Sequence, residues 1–202
     1  MIRPVIIAPD RQLAKVRRLV AHCWQLDGTQ VEVIRMAQEV DDSFLAELPH
    51  DMHPEQKFAC LQAYALHMAS RCMNEPFFWL EPDSIPLKEG WLGLIDGDYF
   101  QKDKPFLLSS DSNPPHDLVG GIGVYPADCH RYIPDRFERH GFDLWMQEHL
   151  NHAIARTSMI QHSYGIYNRN GIAKPHRFPR DKDMIRAEAV IFHRDKYQGL
   201  IR

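Results

Sequence analysis

The chain has 202 residues, 44% hydrophobic and 25% charged, which suits one globular domain and excludes a disordered chain. A net charge of −3 argues against a globally basic nucleic-acid binder, and no apolar run is long enough to span a bilayer. The start MIRPVIIAPDR lacks a signal-peptide core, and Cys23, Cys60, Cys72 and Cys129 form no C-x-x-C pair, so a reducing, cytoplasmic setting is expected.

Residues 3–8, RPVIIA, are expected to form a buried strand. Over 10–26, Leu13, Val16, Leu19, Val20, Cys23 and Trp24 recur at a helical period, and Asp27-Gly28 makes a turn. Residues 31–36, VEVIRM, alternate as a strand does, completing a β-α-β opening and implying a parallel sheet. The acidic stretch 40–54 reads as a loop. Pro54 suits the first position of a helix over 54–73, with an apolar stripe at Phe58, Leu61, Ala65, Met68 and Cys72. PFFWL (76–80) is apolar on both faces, as a central parallel strand requires.

A short helix is expected over 86–94, beginning near Leu87, with strands at 105–109 and 118–125. Gly120, Gly121 and Gly123 in the second imply a bulge or a closely approached backbone. A helix at about 141–155 and a last strand at 189–193 finish the pattern, which is α/β first and mixed afterwards. Charge is uneven along it. Residues 169–202 carry nine Lys/Arg against four acids, so a basic tail follows an acidic body. That run is either an anion-binding surface or a solvated face.

The apolar run Phe77 to Leu80 stops at Glu81-Pro82-Asp83. In an open α/β sheet, ligands bind beyond the carboxyl ends of the strands. Two carboxylates one residue apart on an extended chain face one pocket, and burying them is costly without a cation. Such oxygen donors suit Mg²⁺ or Mn²⁺, ions that commonly bridge to substrate phosphates. A strand-ending turn with exposed acids is the plainer alternative.

FFWLEPDSIPLKEGWLGLI (77–95) resembles the metal-binding segment of nucleotide-sugar glycosyltransferases of the GT-A fold, which carry an Asp-x-Asp motif after the central strand. Glu81 stands here for the first Asp. EQKFACLQAYALHMA (55–69) resembles the helix before that motif, HDLVGGIGVYP (116–126) the glycine-bearing strand under the donor and acceptor sugars, and VIFHRDKYQGLI (190–201) the tail His and Lys. The resemblance covers nearly the whole chain. It includes family-2-like enzymes and the phage enzymes that modify DNA.

It implies a single GT-A-like (Rossmann-like) α/β domain with a mostly parallel sheet flanked by helices. Residues 1–100 would form a nucleotide-binding half and 101–202 an acceptor-binding half with the basic tail. The activity implied is metal-dependent transfer of a hexosyl or pentosyl unit from a nucleotide-sugar, UDP-sugar first, to a hydroxyl acceptor. Glu81, Asp83 and His193 would hold Mn²⁺ or Mg²⁺. Pro9 and Asp10 would grip the base, Lys57 would reach the nucleotide, and Arg194 and Lys196 would contact the diphosphate.

Asp143 would serve as catalytic base, with Glu148 in reserve. Each has a structural alternative: a strand-end core histidine for His193, a first-turn helix acid for Asp143. His162 could bind metal or acceptor. Trp91 and Tyr125 are core residues by default and could instead stack on a sugar. The segment 167–182, YNRNGIAKPHRFPRDK, could hold a phosphate backbone, so hydroxymethylated pyrimidine in DNA is one expected acceptor.

Two other readings compete. A nucleotidyltransferase would carry a glycine-rich, cationic loop after the first strand, where this chain has APDRQLAK. A non-catalytic nucleotide- or sugar-binding module would keep the sheet but need no acid pair.

Overall fold

Strands β1 (Arg3–Pro9) and β2 (Glu32–Met36) flank helix α1 (Leu13–Asp27) in the computed structural model, and pair in parallel. Helices α2 (Gln38–Glu47) and α3 (Pro54–Cys72) lead to β3 (Phe77–Trp79) and β4 (Ser84–Pro86). Then come α4 (Trp91–Lys102), β5 (Phe106–Asn113), β6 (His116–Tyr125), α5 (Phe142–Leu150), β7 (Ile154–Thr157), β8 (Ile160–His162) and β9 (Ile191–His193). The structure describes all residues except 37, 114–115, 135–141, 163–184 and 194–202, and leaves aside the side chains at 38–41, 55, 58, 110–113, 116–118 and 162.

Six strands form the central sheet in the order β2-β1-β3-β6-β5-β7, with β3 in its middle. β6 alone runs against the others: it is antiparallel to β3 and β5, whereas β1–β2, β1–β3 and β5–β7 are parallel. The expected mostly parallel α/β sheet is therefore present.

Successive strand side chains point to opposite faces, and here both faces are covered. Val5, Ile7, Phe77 and Trp79 pack with residues of α3 and α5 on one side. Ile6, Ala8, Phe78 and Leu80 pack with Val16 and Leu19 of α1 and Trp91 and Ile95 of α4 on the other. All four cysteines are free thiols, and only Cys72 is exposed.

Several expectations need correction. Within 40–54, the acids hid helix α2, whose Phe44 stacks on Tyr64 of α3 with centroids 4.6 Å apart. On α3 the fully buried positions are Ala59, Cys60, Ala63, Leu66 and Ala69, so the packed face is rotated from the expected stripe and Cys72 is exposed. No helix begins near Leu87. Residues 84–86 are strand β4, and Gly90, at φ 69°, is the left-handed cap before α4. The expected helix over 141–155 stops at Leu150, and strand β7 follows. The last strand, β9, joins not the central sheet but a second one of order β4-β9-β8.

Among the described residues no helix is long and apolar enough to cross a membrane.

Candidate functional site

Glu81, Pro82 and Asp83 do not continue β3 as an extended chain. Leu80 N–H still donates to Val5 O at 2.8 Å, but Ser84 N–H then donates back to Glu81 O at 2.9 Å. That bond closes a β-turn with Pro82 at its second position, where proline is favoured. The two carboxylates therefore meet through a turn and not through strand alternation.

The turn feeds directly into β4, which pairs antiparallel with β9 so that Ser84 stands opposite His193. This register delivers an imidazole from the far end of the chain to the acids. His193 Nε2 lies 3.0 Å from Glu81 Oε2 and 3.4 Å from Asp83 Oδ1. One ligand atom from each of the three residues lies within 4.8 Å of the others. Divalent cations hold such donors at about 2.0–2.2 Å, so three ligands spaced like this fit around one ion. The set of two carboxylates and one imidazole suits Mn²⁺ or Mg²⁺ and places no soft sulfur ligand in the site.

Electrostatics explain why the metal-free cluster holds together. Burial of His193 disfavours its charged form, but the Glu81 and Asp83 carboxylates outweigh burial, and its pKa rises from 6.5 to about 10. Protonated His193 thus occupies the position of a cation between two acids.

A third carboxylate lies close to Glu81. Asp143, in the first turn of α5, and Glu81 both lean over Gly121 of β6. A Cβ at Gly121 would stand 3.0 Å from Asp143 Oδ1 and 3.7 Å from Glu81 Oε1. The glycine is what lets these groups approach. The buried Tyr125 hydroxyl donates to Gly121 O. Burial, then Asp143 and Glu81, raise the Tyr125 pKa well above its ordinary value, so it remains a neutral donor.

In front of the acids opens a cleft of about 200 Å³ that is partly open to solvent. Glu81, Pro82 and Asp83 line one part, and Met36, Leu61 and Trp79 are among the apolar walls. Arg11 and Lys15 also line it, and no sequence expectation included them. Their signal was present in APDRQLAK, where the cations stand four residues apart beside a strand end.

The other expected site residues divide. Pro9 lines the cleft, whereas Asp10 binds Arg35 at 2.9 Å and is not among the lining residues. Lys57 directs its Nζ at His50 O, 3.4 Å away, and does not line the cleft. Glu148 is exposed, five residues along α5 from Asp143. Trp91 and Tyr125 are fully buried in the core and present no face to a sugar. His162 is the register partner of His193 in β8, but its side chain lies outside the described residues. Arg194, Lys196 and the segment 167–182 also lie outside them.

No family model matches the chain and no curated protein matches it. Solved structures do. A glycosyltransferase involved in the glycosylation of the major capsid of PBCV-1 aligns with a TM-score of 0.57 at 10% identity, covering 95% of this chain and 93% of that one. Mouse xyloside xylosyltransferase 1, in its apo form, aligns with the same TM-score and identity over 96% and 97%. At that identity the likeness establishes the fold, which is GT-A-like, over nearly the full length of both chains.

Proposed function

We propose that this chain is a metal-dependent glycosyltransferase that moves a sugar from a nucleotide-diphosphate sugar to a hydroxyl acceptor. The observation that carries the proposal is the Glu81–Asp83–His193 cluster at the carboxyl end of the central strand, with both carboxylates lining a cleft. A fold shared with glycosyltransferases supports it.

Glu81, Asp83 and neutral His193 would hold Mn²⁺ or Mg²⁺. When bound, the ion supplies Lewis-acid stabilisation of the diphosphate leaving group. The walls of the cleft hold the nucleotide beside the acid end. The bond between the anomeric carbon and the diphosphate oxygen breaks, and its electron pair leaves with the diphosphate. The acceptor oxygen forms the new bond to that carbon. Asp143 takes the acceptor's proton on its carboxylate, if configuration inverts. The nucleotide-binding half is residues 1–100, which contribute the lining of the cleft among the described residues, and the acceptor half is 101–202.

UDP-sugar is the first donor to test, with a hexosyl or pentosyl unit. The acceptor carried forward is a hydroxymethylated pyrimidine in DNA, supported by the basic composition of 167–182. Duplex binding that falls steeply with added salt would support it. Salt-independent activity on a small sugar acceptor would replace it.

The deciding experiment is calorimetric titration of UDP, GDP, TDP and CMP, with and without Mn²⁺, into wild type and Asp83→Ala. Metal-dependent binding of one nucleotide, lost in the variant, is expected. No binding to any of them with metal present would mean that the acids merely end a strand.

A further inference from the structure

Charge balance exposes what the acid cluster leaves undone. Glu81 and Asp83 bring two negative charges, a divalent ion cancels them, and His193 must be neutral to ligate. The loaded cluster is then neutral overall. An esterified diphosphate carries about two negative charges, which this site would hold in a partly enclosed cleft. Desolvating it costs free energy unless cations stand nearby. Bond cleavage adds further charge to the same oxygens.

Two cations line the same cleft. Arg11 stands in the single 3-10 turn Asp10–Gln12 that follows β1, and Lys15 in the first turn of α1. Four residues apart across a continuous helical turn, they share one side of it. Arg11 is exposed and Lys15 partly buried, and both line the cleft that Glu81 and Asp83 also line.

We propose that Arg11 and Lys15 bind the two phosphates of the donor from the strand-β1 side of the cleft, supplying the positive charge that the metal cluster lacks. This rests on the nucleotide-sugar reading above. It assigns to the start of α1 a task that the sequence resemblance gave to Arg194 and Lys196.

Titration of UDP and GDP, and of uridine and guanosine as phosphate-free controls, with Mn²⁺ at low salt, tests it. The proteins are wild type, Arg11→Gln, Lys15→Gln, their double variant, Arg194→Gln/Lys196→Gln, and Arg17→Gln as an exposed control on α1. Each single change in the pair should weaken the diphosphate about tenfold, the double about a hundredfold, with nucleoside affinity and melting temperature unchanged. The salt dependence of diphosphate binding should flatten in the double variant.

Diphosphate affinity within twofold of wild type in the double variant overturns the proposal while leaving the cleft a nucleotide site. So does a loss confined to Arg194→Gln/Lys196→Gln. Failure of wild type to bind any diphosphate with metal would instead remove the glycosyltransferase reading, and this proposal with it.

Discussion

His193 is 97% sealed from solvent yet sits against two carboxylates, and that placement makes the site's chemistry testable one atom at a time. Removing a ligand oxygen should matter more than removing an outer partner, which alone is worth about ten- to a hundredfold in metal affinity. Asp83→Ala should therefore weaken Mn²⁺ by about a hundredfold or more. Electron paramagnetic resonance titration of free Mn²⁺ checks this without any substrate; unchanged affinity would remove Asp83 from the ligand set. Gly121 offers a different probe. Alanine there would press a methyl against Asp143 Oδ1 at 3.0 Å. If Asp143 is the base proposed above, Gly121→Ala should lower kcat by moving its carboxylate while leaving Mn²⁺ affinity near wild type. Asp143→Asn should cost about 10²–10⁴-fold in kcat with an inverting acceptor reaction. If Asp143→Asn retains full turnover, the carboxylate is a helix-start acid and nothing more.

At the scale of elements, what could be read in advance was what local pattern encodes. The run at 76–80 announced a central strand because both of its faces are apolar, and both are buried. The β-α-β opening was legible because α1 keeps Val16, Leu19 and Cys23 on one side and ends at Gly28, whose φ of 76° suits glycine. Acidity concealed α2, since acids such as the exposed Asp42 and Glu47 broke the apparent period while Phe44 and Leu45 packed inward. β4 was invisible for another reason. Its partner β9 lies more than a hundred residues away, and no window of sequence holds both halves of that pairing. The same distance kept the His193 contact a matter of resemblance until the register was seen. Gly90 could have corrected the helix start: a residue at φ 69° cannot sit inside a right-handed helix beginning at Leu87. Gly90→Ala should therefore destabilise the fold by about 1 kcal/mol, although no atom lies within 4 Å of the added methyl. Urea denaturation measures this, and a stability equal to wild type would mean that the left-handed cap is not required.

Across the whole molecule, the cluster ties the centre of the main sheet to the small second sheet, so its protonation and the binding of a metal there should affect global stability in opposite ways. Without metal, the folded pKa of His193 is raised to about 10 from 6.5. The folded state holds this proton more tightly than the unfolded chain, so its stabilisation is complete below about pH 6.5 and is lost as pH climbs through about 10. The metal-free protein should melt at falling temperature between about pH 7 and pH 9. Cys23 and Cys129, pushed by burial from 9.0 to about 12, begin to contribute a loss of the same sign only above about pH 9, so the lower window isolates the histidine. Metal reverses the trend because it displaces the same proton: affinity should grow with pH across this window, and a bound ion stabilises by mass action, about 2.7 kcal/mol at a hundredfold excess over Kd. Melting curves at pH 7, 8 and 9, with chelator or with saturating Mg²⁺, should diverge as pH rises. His193→Gln should flatten the chelator series and weaken the metal response together. Parallel curves in wild type would mean that His193 carries no proton for a metal to displace, and the three side chains would then be a structural knot joining two sheets.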